Sequence, residues 1–361
     1  MMLACLVAVA AMSVPPLVTP CGVVSLPSPV SPDVRGGADA RPGAGADSTD
    51  STRRDTLKPH PKKTGAKSRS SASTIHKRGT TSTTVRPSKH DEIPPPPAFT
   101  VTALPNAILP KKRIVAFYGN PLSKRMGVLG EYPEDVMLAK LRQEVASFTK
   151  ADPSRPAIPA LHLIVAVAQG DPGKKGLYRL RMTDSLIDRW CKLAESKGYL
   201  MFLDVQVGRS TVQAELQPLI PYLKRPYVHL ALDPEFAMKG ATIPGRKIGT
   251  MDASEVNYAI QTLADLVAQN HLPPKILVVH RFTQKMLTRY REIHPVPSVQ
   301  VVINMDGFGA PWLKRDSYHD YVRMQPVQFT GFKLFYKNDK PMLSREDVVK
   351  LDPSPVFITF Q

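Results

Sequence analysis

Two carboxylates one residue apart, Asp233 and Glu235, close the apolar run HLALDPEF at residues 229–236. Read as a strand, the run places His229, Ala231, Asp233 and Glu235 on one face and Leu230 and Leu232 on the other, because side chains alternate. Crowded carboxylates raise one another's pKa. An acid kept protonated near neutrality is what glycoside cleavage needs, since it must give a proton to the leaving oxygen. Glu235, with the longer reach, is the expected acid, and Asp233 orients it or shares its proton. Asp204 in LDVQVG and Asp306 in MDGFG would orient a substrate group, activate water or stabilise the developing cation.

Such residues act only if something brings them together. From Lys111 onward short apolar runs alternate with amphipathic stretches. The runs at 113–120, 161–169, 200–207, 228–233, 276–282, 299–305, 331–336 and 356–360 read as strands. Helical periodicity covers 134–149, 184–196, 212–223, 253–270, 284–293, 315–324 and 345–350. Thr183, Thr211 and Ser344 stand at N-cap positions, Asp252 with Glu255 approaches a capping box, and Gly198 is a stop signal. Strict alternation implies a parallel sheet, and eight repeats imply closure. The expected fold is α/β, a (β/α)8 TIM-like barrel of the glycosidase-superfamily type, at residues 109–361. An open doubly wound sheet is the other option, but no G-x-G-x-x-G follows the first strand. No helix follows the eighth strand, and residues 99–110 are expected to cover that gap.

In a barrel of this kind the chemistry sits at the C-terminal strand ends. There the sequence turns polar at nearly every strand. Tyr118, Gln206, His280, Lys337 and Gln361 become candidate substrate-binding residues, and Asp204, Asp233, Glu235, Asp306, His280 and Lys337 are expected to converge on the axis. Each has a plainer reading. Asp233 precedes Pro234, as at many strand exits; Asp306 suits a turn; His280 and Lys337 could be paired structural groups. The carboxylates are also hard ligands that could hold a divalent cation, and His280 extends this to transition metals. With no H-x-H or H-E-x-x-H spacing, neither a metal nor any other cofactor is expected. No nucleophile-elbow motif supports a Ser-His-Asp triad.

The remainder of the chain differs in kind. The whole chain has 361 residues, a net charge of +17, 36 prolines and 3 cysteines. Residues 1–24 are apolar and small, as in an export signal, and Cys21 offers a lipid-attachment point. Residues 25–108 are rich in Pro, Ser, Thr, Lys and Arg and poor in large apolar residues, so a disordered linker is expected. Its basic clusters suit anionic envelope polymers, whereas no nucleic-acid-binding motif is present. Only Cys191 lies in the folded region, so no disulfide framework holds it. A secreted or cell-envelope-associated monomer is expected.

The phrases GVLGE, LDVQVGRS, LALDPEF, IGTMDASEVN and NMDGFG resemble those of a group of uncharacterised exported bacterial barrel proteins often labelled lipoproteins. That resemblance covers residues 111–361 and implies location and fold rather than a reaction. More distantly, the D-x-E ending at Asp233–Glu235 is similar to that of family 25 lysozymes and family 18 chitinases. It implies Glu235 as proton donor and Asp233 as its partner, although only the last D-x-E of the full chitinase motif D-x-x-D-x-D-x-E is matched, with His229 and Ala231 before it. The implied substrate is a cell-envelope or extracellular polysaccharide. A non-catalytic carbohydrate- or envelope-binding barrel is the alternative.

Overall fold

The computed structural model describes residues 94–361, so the expected export segment, and the linker up to residue 93, lie outside the described residues. Among the described residues, eight parallel strands close into a barrel. They are β1 (Arg113–Gly119), β2 (Ala157–Ala168), β3 (Leu200–Val205), β4 (Val228–Leu232), β5 (Lys275–Arg281), β6 (Val299–Met305), β7 (Phe329–Leu334) and β8 (Phe357–Phe360). Each pairs in parallel with its neighbours, and β1 joins both β2 and β8. The α-helices longer than four residues are α1 (Glu134–Ala151), α2 (Asp184–Lys197), α3 (Val212–Leu216), α4 (Ala253–Asn270), α5 (Pro311–Tyr318) and α6 (Arg345–Val349). None is long and apolar enough to cross a membrane.

The expected caps are made. Thr183, Thr211 and Ser344 accept backbone N–H groups at the starts of α2, α3 and α6. Asp252 and Glu255 form a full capping box on α4. Gly198 ends α2 with φ +66°, a left-handed conformation that glycine adopts without steric cost. Alternation sorts the strands into two shells. Leu230, Leu232, Leu277 and Val279 pack outward against the helices, while Ala116, Phe202, Ala231, Val278 and Phe357 fill the barrel. Phe202 and Phe357 meet edge to face inside it, with ring centroids 5.0 Å apart.

Two expectations about elements are corrected. Residues 284–293 form no helix; they make two single 3-10 turns, Gln284–Met286 and Tyr290–Glu292, around a two-residue strand that pairs with Met251–Asp252. The cause is Arg281, buried at the end of β5. Its guanidinium takes the carbonyls of Thr283, Gln284, Leu287 and Tyr321, and two of these carbonyls a regular helix would use for itself. The helix expected over 315–324 starts instead at Pro311, a favoured first-turn position, and ends in a π-turn at His319–Arg323.

The approach to β1 also takes another place. Rather than covering a missing helix, it straps the N-terminal mouth of the barrel, and ordered packing begins before residue 109. The Phe99 N–H donates to Val327 O, and Ile108 and Leu109 donate to the Gln300 side-chain oxygen, both at 3.1 Å. Gln300 in turn donates to Leu109 O at 2.6 Å, and Leu109 enters the inner apolar shell. Leu109→Ala should therefore lower unfolding stability by about 2–5 kcal/mol in denaturant titration. A change within about 0.5 kcal/mol, typical of a surface position, would mean that the strap is not part of the core.

Candidate active site

The upper layer of the barrel interior is polar, and β2, β3, β5, β6, β7 and β8 each bring one side chain into it. These are His162, Asp204, His280, Asn304, Lys333 and Thr359, all buried. Their positions follow from the same alternation that fills the lower layer with Phe202 and Ala231. Gly331 makes room opposite Asn304, since a Cβ there would come within 2.5 Å of the Asn304 amide oxygen.

His280 is the centre of this layer. Its Nε2 lies 3.2 Å from Asp204 Oδ2 and its Nδ1 lies 3.2 Å from Asp306 Oδ2. Burial alone would strip its proton, but the two carboxylates outweigh burial and raise its pKa to about 10. Asp204 responds in the opposite sense. Its burial favours the neutral acid, yet His280 and His162 hold it well below the usual carboxylate range. Asp306 is likewise lowered against its burial, by His280 and by Lys333, whose Nζ is 3.6 Å from Asp306 Oδ2. Lys333 also sits 3.6 Å from the centroid of the Tyr118 ring, within cation–π range.

Above this layer opens a cavity of about 650 Å³. Asp233, Glu235, Asp306, Tyr118, Gln206 and Lys333 line it, together with Gln361. Glu235 does not lie on the strand as expected. β4 ends at Leu232, and Asp233 caps a single 3-10 turn, Pro234–Phe236, by accepting the Glu235 N–H at 3.1 Å. That turn, held by Pro234, swings Glu235 into the cavity. Gln206 donates to Asp233 Oδ2 at 3.2 Å and accepts the Ala168 N–H at 3.0 Å, which fixes its amide. Burial and the neighbouring acids push Asp233 well above its ordinary value. Glu235 rises to about 7 through burial and the charge of Asp306, with Lys333 and His280 opposing.

The structure therefore gathers Asp204, Asp233, Glu235, Asp306, Tyr118, Gln206, His280 and Gln361 at one mouth. Lys337 is the exception and is corrected. It lies beyond the end of β7, mostly exposed, and pairs with Glu131 at 2.8 Å. The axial cation is Lys333, four residues earlier. His162 and Lys333 were missed, although both sit on the inward face of runs whose other face is apolar: Leu161 and Leu163 around His162, Phe332 and Leu334 around Lys333. At the rim, Phe308 and Trp312 are exposed on a segment pinned from below. Buried Asp339 accepts the Gly309 N–H at 3.0 Å and the Lys314 ammonium at 2.6 Å.

No protein-family model matches the chain, and no curated protein matches it.

Glu235 leaves a mark on stability. Its acid is protonated in both states below pH 4.5; above that the unfolded chain ionises first, and the folded state loses ground until about pH 7. Glu235→Gln should equal the wild type in stability near pH 4 and exceed it at pH 8 in paired denaturant titrations. An unchanged difference across that range would place Glu235 in ordinary solvent.

Proposed function

We propose that the protein is a glycoside-hydrolase-like enzyme that uses carboxylate acid/base chemistry on a cell-envelope or extracellular polysaccharide. The observation that carries the reading is the separation of two acids in one cavity. Glu235 is held protonated up to about pH 7, while Asp306 sits against His280 and Lys333 and keeps its charge. Pairs pushed apart in this way divide into acid and charged partner. Glu235 protonates the leaving oxygen. Asp306 supplies negative charge to the sugar cation or activates the attacking water. Asp233, braced by Gln206, sets the turn that aims Glu235. Tyr118 and Gln361 form the floor and wall against which a sugar ring rests. The envelope as location rests on the apolar N-terminus and basic linker of the sequence.

A second reading, a sugar-binding barrel without catalysis, draws on Phe308, which is exposed and lines the cavity, with Trp312 exposed on the same segment. Exposed aromatic faces at a cavity mouth are suited to stacking on pyranose rings, whose C–H faces are apolar.

The test is hydrolysis of purified peptidoglycan and a panel of chromogenic glycosides by the wild type and by Glu235→Gln and Asp306→Asn. The reading predicts release that falls about a hundredfold or more in Glu235→Gln, the scale of a lost general acid, with an alkaline limb of the pH–rate profile near 7. Retention of a glycan without release by any of the three proteins would favour the binding reading. Release unaffected by Glu235→Gln would remove Glu235 from the chemistry.

A further inference from the structure

Beneath the cavity floor the side chains of His162, Asp204 and His280, from β2, β3 and β5, offer three ligand atoms that all lie within 4.8 Å of one another. We propose that they bind one divalent first-row transition cation, with Zn²⁺ the best fit. The inference goes beyond the glycosidase reading: none of the three lines the cavity, and the cation takes the place of the proton on His280 Nε2.

Geometry comes first. Tetrahedral Zn²⁺ with bonds of about 2.0–2.2 Å sets its ligand atoms about 3.3–3.6 Å apart. Here His162 Nε2 stands 3.4 Å and His280 Nε2 stands 3.2 Å from the same oxygen, Asp204 Oδ2. Both imidazoles thus face one carboxylate at about the separation a shared ion imposes.

The second observation is His162 itself. It is fully buried, and neither ring nitrogen has a hydrogen-bond partner among the described residues; its 3.4 Å approach to Asp204 lacks hydrogen-bond alignment. Asp204 Oδ1 is equally without a partner. Buried polar atoms seldom stay unpaired, and an imidazole aimed at an imidazole–carboxylate contact is explained by a cation between them. An ion on Nε2 leaves only the Nδ1–H of His162 unpaired.

The surroundings fit a metal ligand set. His280 ligates through Nε2 while Nδ1 faces Asp306 at 3.2 Å, the carboxylate–imidazole–metal arrangement that fixes ring orientation. The Tyr118 ring closes the site from above, edge-on to His162 at 5.0 Å and to His280 at 6.0 Å. Two imidazoles and one carboxylate select Zn²⁺ or its first-row neighbours over Mg²⁺ or Ca²⁺, which take oxygen ligands. Lying under Tyr118, the ion is a resident charge that positions Asp306 through His280, not a centre that touches substrate.

The test uses the full chain expressed with Zn²⁺ supplied, desalted, and counted for metal by mass spectrometry beside Asp204→Asn and His162→Gln. The expected result is about one Zn²⁺ per chain, held by the three side chains with a water as fourth ligand, reduced at least tenfold in either variant with the circular dichroism spectrum kept. A folded wild type without retained Zn²⁺, or variants that hold as much as the wild type, would overturn the proposal. Should the variants not fold, the wild type produced with Co²⁺ decides: intense visible bands of a four-coordinate nitrogen–oxygen site support it, and the weak spectrum of hydrated Co²⁺, or none, overturns it.

Discussion

One buried imidazole, His280 on β5, sits between two aspartates, Asp204 on β3 and Asp306 just after β6, and the upper half of the barrel is arranged to satisfy it. Removing either aspartate would leave an uncompensated charge in a low-dielectric interior, which costs several kcal/mol. This explains why the polar layer is so crowded. Asp204 needs His280 to stay ionised in a fully buried position, Asp306 needs His280 and Lys333, and Lys333 needs Asp306 and the Tyr118 ring. The apolar shell below, with Phe202 and Phe357 in contact, keeps water from dissolving the network.

From that network the properties of the cavity follow. Asp306 brings a fixed negative charge to the cavity wall. Burial and this charge together hold the Glu235 proton to about pH 7, so the energetic cost of a buried acid is converted into a proton available near neutrality. The rim adds a different component. Asp339 and Lys314 form a buried ion pair under a short surface segment that places Phe308 at the mouth and leaves Trp312 exposed beside it.

Much of this was legible in the sequence. All eight strands announce themselves as apolar runs, and four N-caps and one glycine stop stand where the residue types say they should. Asp204 could be placed inward because it interrupts a strand at an inward position. The failures have particular causes. Lys337 looked axial because the strand was extended two residues too far, whereas Lys333 alternates inward with Gly331 inside the strand. The segment 284–293 has helical periodicity, but its carbonyls are recruited by Arg281, a partner no local pattern reveals. Glu235 reaches the cavity on a capped 3-10 turn and not by strand alternation, which the local pattern does not reveal. The pairing of His162 with Asp204 and His280 joins three strands and has no sequence spacing at all.

The claim that this network tunes Glu235 is tested most directly by a carboxyl ¹³C NMR titration of Glu235 in the wild type and in Asp306→Asn. The account predicts a midpoint near 7 in the wild type and a lower one in the variant, which has lost the repulsive neighbour. A wild-type midpoint in the ordinary glutamate range, or one unmoved by Asp306→Asn, would contradict it.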